Sequence, residues 1–128
     1  MDQRREDLPT RWNTTTVDDG RDKWVQYGIF VDFHRHSYSL YVSDLEKVWI
    51  DRANTDQLIA SAKQNGMEDL DNTKLTQLLT LINDSIYDST LVTISGDGDN
   101  LSMNLTAKQL SWRFRLQLQL DNGCVWFL

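Results

Sequence analysis

The stretch from Leu110 to Leu120 constrains the fold more than any other. Leu110, Trp112, Phe114, Leu116, Leu118 and Leu120 alternate with Ser111, Arg113, Arg115, Gln117 and Gln119. Successive side chains of an extended chain point to opposite faces, so one face here is wholly apolar and the other wholly polar. Such a strand belongs in an antiparallel sheet with one face on a core and the other in water. Its neighbours are legible too. Val25, Tyr27, Ile29, Val31 and Phe33 alternate with Gln26, Gly28, Phe30 and Asp32, and Tyr38, Leu40 and Val42 alternate again. The polar bend His34-Arg35-His36-Ser37 joins these two runs as a hairpin. Leu91–Ile94 and the alternating Leu101, Met103 and Leu105 flank a turn-forming loop, Gly96-Asp97-Gly98-Asp99-Asn100. Trp12 to Val17 reads as a first edge strand, closed by the turn Asp18-Asp19-Gly20.

Between these strands the period changes. Leu45, Val48 and Trp49 stand at i, i+3 and i+4 behind Ser43 and Asp44, which predicts a capped helix fed directly by the strand before it. A second helix starts at Thr55 or Asp56, buries Leu58, Ile59 and Ala62, and stops at Gly66. A third follows Asp71 or Asn72 with Leu75, Leu78, Leu79 and Ile82 on one face. The order is strands, helices, strands, so the fold class is α+β: a curved antiparallel sheet or β-sandwich with a helical hairpin inserted between its halves.

A chain of 128 residues with 40% hydrophobic residues can bury one real core. No run of about eighteen apolar residues exists, and the first seven residues are too polar for a signal peptide. Cys124 is the sole cysteine, so no internal disulfide can form, and a reducing compartment is expected. The sequons at Asn13, Asn83, Asn100 and Asn104 are then accidents of an Asn- and Thr-rich chain. A net charge of −6 makes the domain as a whole a poor ligand for phosphate backbones, although a local basic strip is compatible with it. The apolar end Cys124-Val125-Trp126-Phe127-Leu128 suggests that the natural chain continues.

Residue groupings that could carry chemistry each have a plainer reading. His34 and His36 lack a third metal ligand nearby, so a solvated bend is expected rather than zinc. Asp97-Gly98-Asp99-Asn100 begins like a calcium loop, but a strand stands where the closing Glu is needed. Asp44 and Glu46 are explained by a helix start. No nucleophile elbow and no phosphate-cradling glycine motif is present. The expectation is a non-enzymatic protein with no cofactor and no metal. Arg113 and Arg115, with Lys108 just before their strand, form a possible basic contact strip. Among five tryptophans, Trp24 precedes its strand and is the one expected to be exposed.

Tyr38-Ser39-Leu40-Tyr41-Val42-Ser43-Asp44-Leu45-Glu46-Lys47-Val48-Trp49 closely resembles a segment of the XLF (Cernunnos) family, in the pattern Y-x-L-x-V-S-D-L-x-x-V-W. The likeness extends to the apolar strand Val25–Phe33, the helical hairpin 56–84, Trp12, and the late Trp112-Arg113-Phe114, covering residues 12 to 120. The polar N-terminal arm and the long Trp12–Trp24 connection look like those of a divergent, fungal-type member.

The resemblance implies a globular head, residues 12–128 after a flexible polar arm 1–11, built as an antiparallel β-sandwich with an inserted helix-turn-helix. In the family a dimerising coiled-coil stalk and a basic tail that binds Ku and DNA follow this head. The implied function is nuclear: a scaffold in double-strand break repair by non-homologous end joining, which binds the adaptor of DNA ligase IV. By position, the adaptor-binding surface comprises Met67, Glu68, Asp69 and Leu70 in the helical hairpin, and Ala107, Lys108 and Gln109 in the turn before the W-x-F strand. Where vertebrate-type members insert a leucine into the partner, Lys108 stands here. Leu105 and Leu110, its nearest leucines, both alternate inward, so a charge-based contact with an acidic partner surface is expected instead. Two other classes share the architecture: a peptide- or ligand-binding β-sandwich, and a self-assembling structural head.

Overall fold

The alternating run Lys23–Asp32 forms the longest strand, and its partners organise the molecule. The computed structural model describes residues 8–18, 23–97, 99–108 and 110–119. The expectations that fall on residues 1–7, Asp19, Gly20, Gly98, Gln109, Leu120, Cys124 and Trp126 lie outside these. In chain order the strands are β1 (Asn13–Asp18), β2 (Lys23–Asp32), β3 (Ser37–Ser43) and β4 (Val48–Ala53). Helices α1 (Thr55–Gln64) and α2 (Asn72–Ser85) follow, then a short 3-10 turn at Ser89–Leu91. Next come β5 (Val92–Asp97), β6 (Asn100–Ala107), β7 (Leu110–Phe114) and β8 (Gln117–Gln119).

All eight strands make one sheet in the order β7-β6-β5-β1-β2-β3-β4-β8. Every pairing is antiparallel except the parallel β1–β5 pair, Val17 opposite Ile94. The fold class is therefore α+β as expected. The two halves, however, do not form separate stacked sheets. The chain leaves β7 at one edge and, after only Arg115 and Leu116, enters β8 at the other, so the sheet curls until its edges approach. Nor does β1 lie at an edge. It joins the two halves, which no local pattern could announce.

The main correction concerns Ser43–Trp49, which is a β-hairpin and not a strand feeding a helix. Ser43 pairs with Val48, and Trp49 with Val42. Ser43 Oγ accepts the Leu45 N–H at 3.0 Å, and Asp44 Oδ1 accepts those of Glu46 and Lys47 at 2.9 and 2.6 Å. Polar side chains that satisfy nearby backbone donors favour a turn over a helix. Leu45 is exposed, so the apparent helical stripe never meets a core. Val48, Trp49 and Ile50 are all buried because β4 is covered on both faces: Trp49 points to the main core, whereas Val48 and Ile50 pack with Tyr41, Leu8 and Trp12 on the outer side. A strand buried on both faces loses its alternation.

The two helices expected after it are present. Asn54 caps α1 in a reciprocal box with Gln57, and Asp71 caps α2 through the Lys74 N–H. Their apolar faces (Leu58, Ala62, Leu75, Leu78, Leu79, Ile82) cover the inner side of the sheet and complete the main core with Val25, Tyr27, Leu40, Trp112 and Phe114. The segment Leu8–Arg11, assigned above to the polar arm, lies against the sheet. Pro9 is buried, and a side chain at Gly28 would meet Arg11 O at 2.6 Å and Pro9 Cβ at 2.9 Å.

Strand directions divide the molecule into two ends. The β1–β2, β3–β4 and β5–β6 connections gather at one end; the β2–β3 and β6–β7 turns and the start of α1 gather at the other.

Candidate partner-binding site

The α1–α2 connection begins with the helix stop foreseen at Gly66. This glycine has φ +84°, and the Gly66 and Met67 N–H groups return to Lys63 O and Ala62 O, both at 3.0 Å. That is the paired closure in which a left-handed glycine ends a helix. It turns Met67 back onto the hairpin, where Met67 and Leu70 are half-buried against the core. Glu68 and Asp69 are exposed, and Asp69 has φ +55°. Open grooves meet at this connection: one runs along α2 past Lys74, Gln77 and Leu81, the other borders Ile59 and Lys63. The floor is apolar and the rim charged, the usual make-up of a protein contact.

In the β6–β7 turn Ala107 is half-buried and Lys108 exposed, while Leu105 and Leu110 are buried as their alternation requires. Gln109 lies outside the described residues. The turn and the α1–α2 connection are separate surfaces. Helix α2, 14 residues and about 21 Å long, starts at the α1–α2 connection, and its far end leads through the 3-10 turn to β5, whose first residue Val92 pairs with Leu105 just before the β6–β7 turn.

Arg113 and Arg115 are exposed on the polar side of β7 and the residues after it. Arg115 is partly engaged, since its guanidinium reaches Gln64 Oε1 at 3.4 Å. Its backbone N–H donates to Asp51 Oδ2 at 3.2 Å, and the same oxygen accepts the Tyr38 hydroxyl at 2.8 Å. Asp51 thus fastens the point where the chain crosses from one sheet edge to the other. Burial raises the Asp51 carboxyl, against the lowering effect of those two hydrogen bonds. Burial, and then the Asp51 charge, push the Tyr38 phenol well above its ordinary value. The sequence carries no signal for this role beyond a polar residue inside Val-Trp-Ile-Asp-Arg-Ala.

The remaining candidates serve the fold. His36 meets Thr76 Oγ1 at 3.1 Å across to α2. Asp99 forms an ion pair with Lys47, and its carbonyl accepts the Trp49 indole N–H at 2.9 Å. Asp44 holds the β3–β4 turn rather than a helix start. Among the described residues no three His, Cys, Asp or Glu side chains are grouped as a metal site. A network missed by sequence reasoning ties α2 to the N-terminal segment. Tyr87 stacks on Tyr27 at 6.3 Å, donates to Arg11 O at 2.9 Å, and lies under the Arg11 guanidinium at 4.3 Å.

The sequence that folds into this curled sheet and helical hairpin matches a family model. The model for the XLF N-terminal domain covers residues 11–118. The chain belongs to the XLF family. Membership places it with the non-enzymatic scaffolds of DNA repair by non-homologous end joining. No curated protein matches the chain. The XLF-type segment Tyr38–Trp49 now has a physical meaning. Leu40, Val42 and Trp49 fill the core, Ser43 and Asp44 build the turn, and Trp49 also binds the β5–β6 turn.

Proposed function

We propose that this XLF-family domain is the head of a nuclear end-joining scaffold that binds the adaptor of DNA ligase IV and thereby promotes ligation. The contact uses Met67, Glu68, Asp69 and Leu70 on the helical hairpin and Ala107, Lys108 and Gln109 in the β6–β7 turn. Homodimerisation through a stalk, and binding of Ku and DNA through a basic tail, belong to regions beyond this head, and the segment Leu8–Arg11 belongs with the head rather than with a loose arm. Arg113 on β7 and Arg115 just past its far end add a basic strip that leads away from the turn.

The observation that supports this reading is the open groove at Met67 and Leu70 in a chain of this family: half-buried apolar groups under a charged rim. Lys108 stands exposed at the position where, by the resemblance, vertebrate-type members insert a leucine, and its neighbours Leu105 and Leu110 are buried. The turn can therefore offer a charge but no leucine without unpacking the core. Titrating the protein with purified ligase IV adaptor tests this. Met67→Glu is expected to abolish binding, and Lys108→Glu to weaken it about tenfold in low salt, with the loss shrinking as salt rises. Full affinity in both variants would overturn the proposal.

A further inference from the structure

Helix α2 is poorly equipped to end where it does. Its last turn carries Asp84 and no basic residue, so its own charge adds to the negative end of the helix dipole. No glycine closes it either: the cap is Ile86, still right-handed, followed by Tyr87 and Asp88. The missing groups come from the N-terminal part of the chain. The Asn13 side-chain amide donates to Tyr87 O at 2.8 Å and to the Tyr27 hydroxyl at 3.0 Å, and that hydroxyl donates to Ile86 O at 2.6 Å. The Arg11 guanidinium, over the Tyr87 ring, supplies the cation that the last turn lacks.

The same segment takes the place of a strand. β1 pairs with β2 no further than Asn13 opposite Tyr27. Beyond that point the Ile29 N–H donates to the Tyr87 hydroxyl at 3.1 Å, and the hydroxyl donates onward to Arg11 O. Gly28, inside the longest strand, is what lets the segment approach, since a Cβ there would collide with Arg11 O and Pro9. Yet residues 8–12 belong to no strand. They are held by the contacts with Tyr87, and by Leu8 and Trp12 against Tyr41, Val48 and Ile50. Such a segment can lift away while the ladder from Asn13 onward stays closed.

We propose that residues 8–12 are a latch, a strap that opens and closes without unfolding the sheet and that in its closed state orders the last turn of α2 and the junction at Tyr87. On opening, Arg11 leaves the Tyr87 ring and the Tyr87 hydroxyl loses its acceptor, so the helix end keeps Asn13 alone of its N-terminal supports and frays. The groove along α2 is lined by Leu81 and Asp84 at this same end of the helix. The state of the latch therefore sets how firmly that end of the groove is formed.

The test is native-state hydrogen exchange of the whole chain, read amide by amide by NMR. Gly28→Ala lifts the strap by steric contact and alters neither α2 nor Tyr87. The reporters are the Ile29 N–H, bonded to the Tyr87 hydroxyl, and the Ile86 and Asp88 N–H groups, bonded to Ile82 O and Ser85 O. In Gly28→Ala all three are expected to exchange about tenfold faster than in the parent chain. Val42 and Met103, each in a strand paired on both sides, are expected to keep their rates. Arg11→Ala makes the test without steric demand: it removes the cation but leaves the backbone carbonyl, and is expected to speed Ile86 and Asp88 more than Ile29. Parent rates at the three reporters in Gly28→Ala, or a uniform rise that includes Val42 and Met103, would overturn the proposal. Unchanged Ile86 and Asp88 in Arg11→Ala would do so as well.

Discussion

Where α1 and α2 cover the sheet, order comes from apolar burial: Leu58, Leu79, Ile82 and Ile86 are fully buried between helices and strands. Where the β1–β2, β3–β4 and β5–β6 connections gather, it comes from polar ties. Asp44 holds two backbone N–H groups and Lys23, Asp99 takes Lys47 and the Trp49 indole, and the large apolar residues Trp24 and Leu45 remain in water. Apolar burial is non-directional and scales with area, so the helical end tolerates changes of detail but not of volume. The polar end depends on a few directed bonds, each replaceable only by a group of the same geometry. Two ends held this way can present independent surfaces, because a change at one does not repack the other.

The largest test of this contrast lies at the helical end. Leu79→Ala is expected to lower stability by about 2–5 kcal/mol, measured by urea denaturation, since it leaves a cavity under α2. A loss below about 1 kcal/mol would mean that the helices are not packed as described. Asp44→Ala comes next, at about 1–3 kcal/mol, because two turn N–H groups lose their acceptor. The two losses are expected to add within about 0.5 kcal/mol. Marked coupling between them would break the claim that the ends are independent.

The two ends also differed in how far the sequence disclosed them. The helices were legible because their caps are local: Asp71 ahead of α2 and Gly66 behind α1 can be read without knowing what the helices touch. The run at Leu110 was legible only in part: alternation survives the switch at Arg115 and Leu116, so one strand was expected where the chain makes two, β7 and β8, at opposite edges of the sheet. The β3–β4 turn was not legible. Three apolar residues at Leu45, Val48 and Trp49 cannot distinguish a helical stripe from one exposed turn residue followed by a strand buried on both faces. Partners decided it, and they are distant: Leu8 and Trp12 cover Val48 and Ile50, and Asp99 accepts from the Trp49 indole. The place of β1 beside β5 and the role of Asp51 at the crossing likewise depend on pairings remote in sequence. For the candidate site, positions 67–70 came from resemblance alone, and their half-burial in the groove is a property only the fold supplies.

A smaller effect with the opposite sign is expected at the tip of the polar end. In Leu45→Gly, release of about 1–2 kcal/mol of left-handed strain is partly offset by the greater freedom of glycine in the unfolded chain, about 0.5–1 kcal/mol. The net gain is up to about 1.5 kcal/mol, visible as a raised urea midpoint. A clear loss of stability would show that the Leu45 side chain supports the turn.

The finest distinction is in pH. At Asp44, whose side chain is 4% exposed, burial alone would raise the carboxyl, but Lys23 and the Lys47 and Glu46 N–H groups together outweigh it and hold the group below its ordinary value. A depressed carboxyl stabilises the fold above the unfolded value, about 3.9, and that contribution is lost as pH falls through the folded one. Asp51 is raised, chiefly by burial, so its sign is reversed. The protonated form favours the fold, and stability is given up as pH rises from the unfolded value through the folded one. In Asp51→Asn an amide oxygen in the place of Oδ2 still accepts from Tyr38 and Arg115, and no charge has to be buried. Urea midpoints taken from about pH 3 to 7 should show Asp51→Asn level with the parent chain in acid and gaining on it towards neutrality. Asp44→Ala should do the reverse, falling behind as pH rises. If both difference curves sloped the same way, Asp51 would be an ordinary paired carboxylate, and the crossing from β7 to β8 would be held by the same kind of bond as the turn end.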